Sequence, residues 1–125
     1  MITSTDLLTY AKEKLAERSI GNGDKPIYQI LLFEHAAKTD NSQDYDIGND
    51  DCPGYFHELS EAISAMNCNL GDMHEGVFNA GYIICRFQGL YCFADSKARM
   101  YFEWDEERQG FFQKEEPKLE IEKLF

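Results

Sequence analysis

The chain has 125 residues, of which 43% are hydrophobic and 14% aromatic, with nine Gly and three Pro. This composition predicts one folded domain over 1–125 and excludes collagen-like, low-complexity and wholly disordered classes. The 23 acidic and 12 basic residues give a formal net charge of −11, which argues against direct binding to nucleic acid.

The first residues of the chain predict a protein that is not secreted through a signal peptide. They include no basic segment, no apolar stretch of signal-peptide length and no small-residue cleavage site. No apolar run approaches the roughly 20 residues that span a bilayer. We therefore expect a cytoplasmic protein that does not insert into a membrane. Four cysteines in such a chain favour reduced thiols over a disulfide framework.

The first predicted element is a helix over residues 3–18. Leu7, Leu8, Ala11 and Leu15 recur at helical spacing, and the Thr, Ser and Asp side chains before them are typical N-terminal caps. Glycines shortly after residue 18 predict where the helix ends.

Residues 24–38 permit two interpretations, because the apolar run at 27–33 suits a buried strand or a buried helix. We favour a helix. Asp24 can cap its start, Pro26 fits its first turn, and its last residues form helices well and are not β-branched. A helix that is apolar on all sides would be buried.

A long acidic loop and a third helix are predicted next. Residues 39–53 are rich in Asp, Asn, Ser and Gly, which favour turns. Helical spacing resumes over 55–66 and sets Glu58 and Glu61 away from the apolar stripe. That stripe consists of Phe56, Leu59, Ile63 and Met66.

The C-terminal half changes to the period-2 alternation of β-strands. Four strands are predicted, at 82–87, 90–94, 98–105 and 111–114. Short connections indicate an antiparallel meander over about 77–114, followed by a short tail at 115–125. A two-residue turn after residue 87 would set Cys85 opposite Cys92. The predicted fold class is α+β, with three helices packed on one face of a small antiparallel sheet of about four strands.

Nearly all of the net charge lies in one segment. Residues 40–75 contain nine acidic residues and no Lys or Arg, whereas the chain on either side is close to charge balance. Such a segment repels itself, and clustered charge speeds encounter with a basic surface. The predicted partner-binding residues are its acids, namely Asp40, Asp44, Asp46, Asp50, Asp51, Glu58, Glu61, Asp72 and Glu75.

The sequence contains two candidate metal sites, and neither fits the pattern of a known site. Cys52, His57, Cys68 and His74 are zinc-ligating residue types, but the close ligand pairs typical of zinc sites are absent. The stretch 44–50 alternates oxygen ligands as a calcium loop does, yet Gly and Glu do not fall at the sixth and twelfth positions. We therefore expect no metal and no cofactor.

The charge pattern favours an acidic protein-binding module over an enzyme. Its expected role is that of an inhibitor, which mimics nucleic acid and occupies the basic, nucleic-acid-binding surface of a partner such as a nuclease. In size and charge the chain resembles toxin-neutralising immunity proteins and phage-encoded inhibitors. One alternative is a small metal-dependent or thiol enzyme that uses His57, His74 and nearby cysteines. Another is acidity that serves solubility alone.

Overall fold

The computed structural model describes residues 1–17, 25–37, 44–87 and 96–119. Within them the chain forms the helices α1 (Ser4–Glu17) and α2 (Leu59–Asn67). The strands are β1 (Ile27–Ala37), β2 (Asp44–Phe56), β3 (Ala80–Arg86), β4 (Arg99–Asp105), β5 (Gly110–Gln113) and β6 (Lys118–Leu119). Short 3₁₀ turns follow α2 at Leu70–Asp72 and precede β4 at Ser96–Ala98.

These strands form a single sheet in the order β5, β4, β3, β1, β2, β6. The first five strands along the chain pair antiparallel, and the short β6 runs parallel to β2. At the centre, Ile83 of β3 lies opposite Ile30 of β1 on one side and Met100 of β4 on the other. The protein is therefore mixed α+β, but it is richer in strands than the sequence analysis predicts.

The predicted helix over 24–38 is wrong, because this segment forms β1. Tyr28 and Ile30 join the apolar cluster on one face of the sheet, whereas Leu31 and Phe33 join the cluster on the other. A strand buried on both faces is apolar at consecutive positions. Its period of 2 is then hidden, and the run looks like a buried helix.

The predicted loop over 39–53 is also wrong in its described part, which belongs to β2. β2 follows β1 with register shifts between Ile30 and Leu32 and between Phe33 and His35. Such bulges, together with exposure near the sheet edge, accommodate Asp, Asn and Gly residues that a central strand excludes. Because β2 continues to Phe56, the following helix begins later than predicted.

The other predicted elements have mixed outcomes. The helix over 3–18 is confirmed as α1, and the strands over 82–87, 98–105 and 111–114 are confirmed as β3, β4 and β5 with small shifts of their ends. The strand predicted at 90–94, with Cys92, lies outside the described residues. Three helices on a four-stranded sheet are thus replaced by two described helices on a larger sheet.

Both α-helices pack on one face of the sheet. Leu7 and Ala11 of α1 and Leu59 and Met66 of α2 are buried in one cluster with strand residues such as Phe102. None of the described helices is long and apolar enough to cross a membrane.

The opposite face carries a smaller cluster around Phe33 and Tyr82, whose rings stack with their centroids 5.5 Å apart. Residues 114–117 connect β5 to β6, which lie at opposite ends of the strand order. Along the way the Lys114 N–H donates to the Tyr101 carbonyl, and Glu116 accepts a hydrogen bond from the Tyr82 hydroxyl. This connection therefore crosses the second face.

We expect Leu59→Ala to lower the free energy of unfolding by about 2 to 5 kcal/mol, because Leu59 is only 3% exposed in the helix-covered cluster. Glu61→Ala, at an exposed position one half-turn away, should change it by less than about 0.5 kcal/mol. Urea unfolding of both variants measures the difference. A larger loss for Glu61→Ala would mean that the phase of α2 is wrong.

Candidate acidic interaction surface

Six of the predicted partner-binding residues lie on β2 or at the start of α2, and we call this set the acidic edge. It consists of Asp44, Asp46, Asp50, Asp51, Glu58 and Glu61. The last four of these side chains are exposed. Asp40 lies outside the described residues. The four exposed carboxylates thus lie on β2 and at the start of α2 and not on a long loop.

The pairing of β2 with β1 spreads charge to both sides of the sheet. Asp50 lies opposite Phe33, and Asp51 lies opposite Leu32. Paired residues of antiparallel strands point to the same face, and Phe33 and Leu32 belong to clusters on opposite faces. The two neighbouring carboxylates therefore leave β2 toward opposite faces.

Glu34 of β1 adds a carboxylate that the sequence analysis missed. Its Oε1 accepts a hydrogen bond from Asn49 Nδ2 at 3.1 Å, which holds the side chain against β2. A Cβ atom at Gly48 would lie 3.1 Å from Glu34 Oε2, so glycine leaves the space that this contact needs. The helix that the sequence predicts over 24–38 would not place Glu34 beside β2, and only the pairing of β1 with β2 does so.

The start of α2 places two acids where a helix favours them. Glu58 precedes the helix in extended conformation, and its carbonyl accepts from the N–H groups of Glu61 and Ala62. Carboxylates near a helix N-terminus are stabilised by the unpaired N–H groups and the helix dipole. Glu58 and Glu61 therefore extend the acidic edge without destabilising the helix.

Asp72 and Glu75 lie apart from the acidic edge. α2 contacts β2 as well as β5, and the Asn67 carbonyl at its end approaches Gly110 of β5. The two acids follow in the turns beyond that end, with positive φ values of 52° each. The eight described acids of the predicted surface are thus spread along β2, at the start of α2 and in the turns beyond its end.

An aromatic stack marks this second end. The His74 ring lies parallel to the Trp104 ring with centroids 3.7 Å apart, and Phe111 meets Trp104 edge-on. The Trp104 Nε1–H donates to Glu106 at 2.7 Å, and this bond lowers the pKa of the Glu106 carboxyl. His74 therefore packs against aromatic rings in this structure.

The zinc candidates are not brought together. Cys52 lies on β2, His57 meets the Tyr55 ring edge-on, Cys68 ends α2 and His74 stacks on Trp104. Among the described residues, no three His, Cys, Asp or Glu side chains are grouped to hold a metal ion. The stretch considered for calcium is part of a strand, so its oxygen ligands do not form a loop.

We expect the cysteines to differ in reactivity under native conditions. Cys52, Cys68 and Cys85 are free thiols, and burial raises the pKa of Cys85 to about 12. Since the thiolate is the reactive form, Cys85 should react with a thiol reagent only after denaturation. Burial also raises the pKa of Cys52, so the exposed Cys68 should react first and Cys52 after it. Timed labelling followed by mass spectrometry measures this order. Early labelling of Cys85 would contradict its burial.

A polar network extends from the apolar cluster on the second face. The Tyr101 hydroxyl donates to Glu103 at 2.9 Å, and because it carries one proton, it accepts from His35 Nε2, also at 2.9 Å. The Asn79 side chain pairs with the His35 main chain through two 2.9 Å hydrogen bonds. The network joins β1, β4 and the residue before β3.

A cavity of about 260 Å³ also lies on the second face, lined in part by Arg99, Tyr101 and Glu116. The guanidinium of Arg99 forms an ion pair with Glu116 at 3.0 Å on its wall. The two opposite charges on this wall balance each other.

We expect stability to fall as the pH drops below about 6.5, because burial lowers the pKa of His35 from that ordinary value while Glu103 partly opposes the shift. The unfolded chain takes up a proton that folded His35 resists, so acid favours unfolding. His35→Gln should flatten this dependence below about pH 6.5. Urea unfolding across this range tests it. An unchanged slope in the variant would assign the effect to other groups.

Comparisons with protein-family models, curated proteins and solved structures find no match to this chain.

Proposed function

We propose that this protein is an acidic binding module that inhibits a partner by occupying its basic, nucleic-acid-binding surface. The observation that carries the proposal is the placement of exposed Asp50 and Asp51 on a strand, within a segment that has no Lys or Arg. Strand pairing fixes the spacing of these charges, as the backbone fixes phosphates in nucleic acid. Fixed charges lose less conformational freedom on binding than charges on a flexible tail.

Solubility alone explains the acidity less well. Surface charges that serve solubility are usually interspersed in sign, whereas residues 40–75 have nine acids and no base. Clustering raises the repulsion within the folded protein, and a basic partner would relieve it. The acidic edge therefore suits a surface that is neutralised when it binds.

Affinity capture from the native host tests the proposal. The wild-type protein and an Asp50→Lys, Asp51→Lys double variant are immobilised in parallel, and duplex DNA or RNA is then added as a competitor. A basic, nucleic-acid-binding protein should be retained by the wild type only and released by nucleic acid, because both ligands need the same surface. Retention of the same proteins by both baits would contradict the proposal.

A further inference from the structure

The carboxylate of Glu116 lies in a site built by two interior strands of the sheet. It accepts a hydrogen bond from the Tyr82 hydroxyl. The Arg99 guanidinium donates to it from Nε at 3.0 Å and from Nη2 at 3.4 Å. Tyr82 belongs to β3 and Arg99 to β4, and these two strands pair with each other. We call the pair of side chains Tyr82 and Arg99 the carboxylate receptor.

Both side chains of the carboxylate receptor are held in place by packing. Tyr82 is fully buried and stacks on Phe33, and the Arg99 side chain is only 10% exposed. The guanidinium also lies over the Tyr82 ring, 5.5 Å from its centroid. Burial and the hydrogen bond to Glu116 raise the pKa of Tyr82, so its hydroxyl stays protonated and donates. Three donors that are already positioned bind a carboxylate with little loss of conformational freedom.

The segment that carries Glu116 is not part of the strand pairing. Residues 114–117 form neither helix nor strand, and Lys114 and Glu115 are exposed. The β6 strand that follows pairs with β2 only at Asp44 and Tyr45. Glu116 can therefore leave the carboxylate receptor without breaking a pair among the five longer strands.

The cavity of about 260 Å³ adjoins the carboxylate receptor, since Arg99 and Glu116 both line it. Its other lining residues include the apolar Ile2, the aromatic Tyr101 and the basic Lys114. A cavity of about 150 Å³ is large enough to bind benzene, so this one has room for an aromatic ring or a short alkyl chain. Small-molecule sites combine apolar walls with a few positioned polar groups. The receptor and the cavity together suit a ligand with a carboxylate head and a compact apolar body.

We propose that Tyr82 and Arg99 form a binding site for a small monocarboxylate, which Glu116 occupies as an internal competitor. The incoming carboxylate takes over the three donors and places its apolar part in the cavity, while Glu116 moves to solvent. Stability alone is a weak reason for the ion pair, because a largely buried pair gains little over an apolar replacement. The inference concerns a second ligand and does not depend on the proposed function.

Binding of benzoate to the full-length protein, measured by titration calorimetry at constant ionic strength, tests the proposal. Glu116→Gln should bind benzoate more tightly than the wild type by about tenfold or more, because the wild type binds only through the fraction of molecules whose receptor is vacant. Glu115→Gln is the matched control, since it removes the same charge from the neighbouring exposed residue, and its affinity should stay close to that of the wild type. Benzamide, the neutral analogue, should bind none of these proteins.

Two further measurements locate the ligand. Adding Tyr82→Phe to the Glu116→Gln variant removes one donor and keeps the buried ring, and it should weaken benzoate binding about tenfold. In the wild type, excess benzoate should speed hydrogen exchange of the amides at 118–119, because release of Glu116 loosens the pairing of β6 with β2. Sodium chloride at the same ionic strength is the reference.

Several results would overturn the proposal. Equal affinity of the wild type and Glu116→Gln for benzoate would show that Glu116 does not compete, and equal binding of benzoate and benzamide would show that the carboxylate is not recognised. A folded Glu116→Gln variant that does not bind benzoate would contradict the site itself, as would an unchanged affinity after Tyr82→Phe. If Glu116→Gln does not fold, the wild type decides, because unchanged exchange at 118–119 in excess benzoate would refute displacement.

Discussion

Replacing Gly110 by Ala should lower the free energy of unfolding by about 3 kcal/mol, the upper end for an overpacked core. A Cβ atom at this position would lie 2.0 Å from the Asn67 carbonyl oxygen and 2.8 Å from its carbonyl carbon. Both atoms are main chain, so no rotation of a side chain relieves the clash. α2 would have to move away from β5, which would loosen the packing around Met66 and Phe111, both fully buried.

Gly54→Ala is the matched control for this substitution. No heavy atom lies within 4 Å of a Cβ built at Gly54, and we expect a change of less than about 0.5 kcal/mol. Urea unfolding followed by fluorescence of Trp104, the single tryptophan of the chain, reports on the region where α2 meets β5. Equal stabilities of the two variants would show that the end of α2 does not approach β5 this closely.

The helix α1 was predicted correctly because it has one buried face, whereas β3, which is buried on both faces, was predicted from its place among aromatic segments separated by short turns. In α1, Leu7 and Ala11 are buried, whereas the residues beside them along the chain are partly or fully exposed. The buried positions therefore recur with helical spacing. The centre of β1 has no exposed face, since Leu32 and Phe33 are both fully buried and lie on opposite faces of the sheet. Single-sequence periodicity cannot separate a strand covered on both sides from a buried helix.

β2 was missed for a different reason. Its composition of Asp, Asn, Gly and Pro is typical of turns, because these residues favour local hydrogen bonds and unusual backbone angles. The strand forms because β1 supplies an extended partner along most of its length, with two register shifts. Partner strands distant in sequence override local preference, and a search of local patterns does not detect them.

The charge pattern of the sequence identifies the acids of the candidate surface but does not predict where they lie in the fold. Asp50 lies on β2, Glu58 precedes α2, and Asp72 and Glu75 lie beyond the end of α2, although all four belong to one segment of the chain. The sequence predicts Tyr55 at the start of a helix, so its exposed position on β2 was not predicted. Only the pairing of β1 with β2 places Asp50, Asp51 and Tyr55 on a strand, and periodicity in the sequence does not predict that pairing.

Charge reversal on the acidic edge should slow association with a basic partner at least tenfold at low salt. Asp50→Lys with Asp51→Lys removes two exposed carboxylates and adds two cations at the point where the proposed partner docks. Attraction between clustered opposite charges raises association rates by about tenfold to a thousandfold, and reversal removes that gain. The wild-type rate should also fall as salt rises, since the Debye length is about 8 Å at physiological ionic strength.

The control must change net charge equally at another place. Glu13→Lys with Glu107→Lys alters two exposed acids on α1 and on the turn between β4 and β5. Each double reversal adds four units, so both variants go from −11 to −7. Surface-based kinetics with the captured partner should show a much smaller loss of association rate for the control pair. If the two pairs slow association equally, total charge and not the acidic edge governs the encounter, and the edge has no special role in binding.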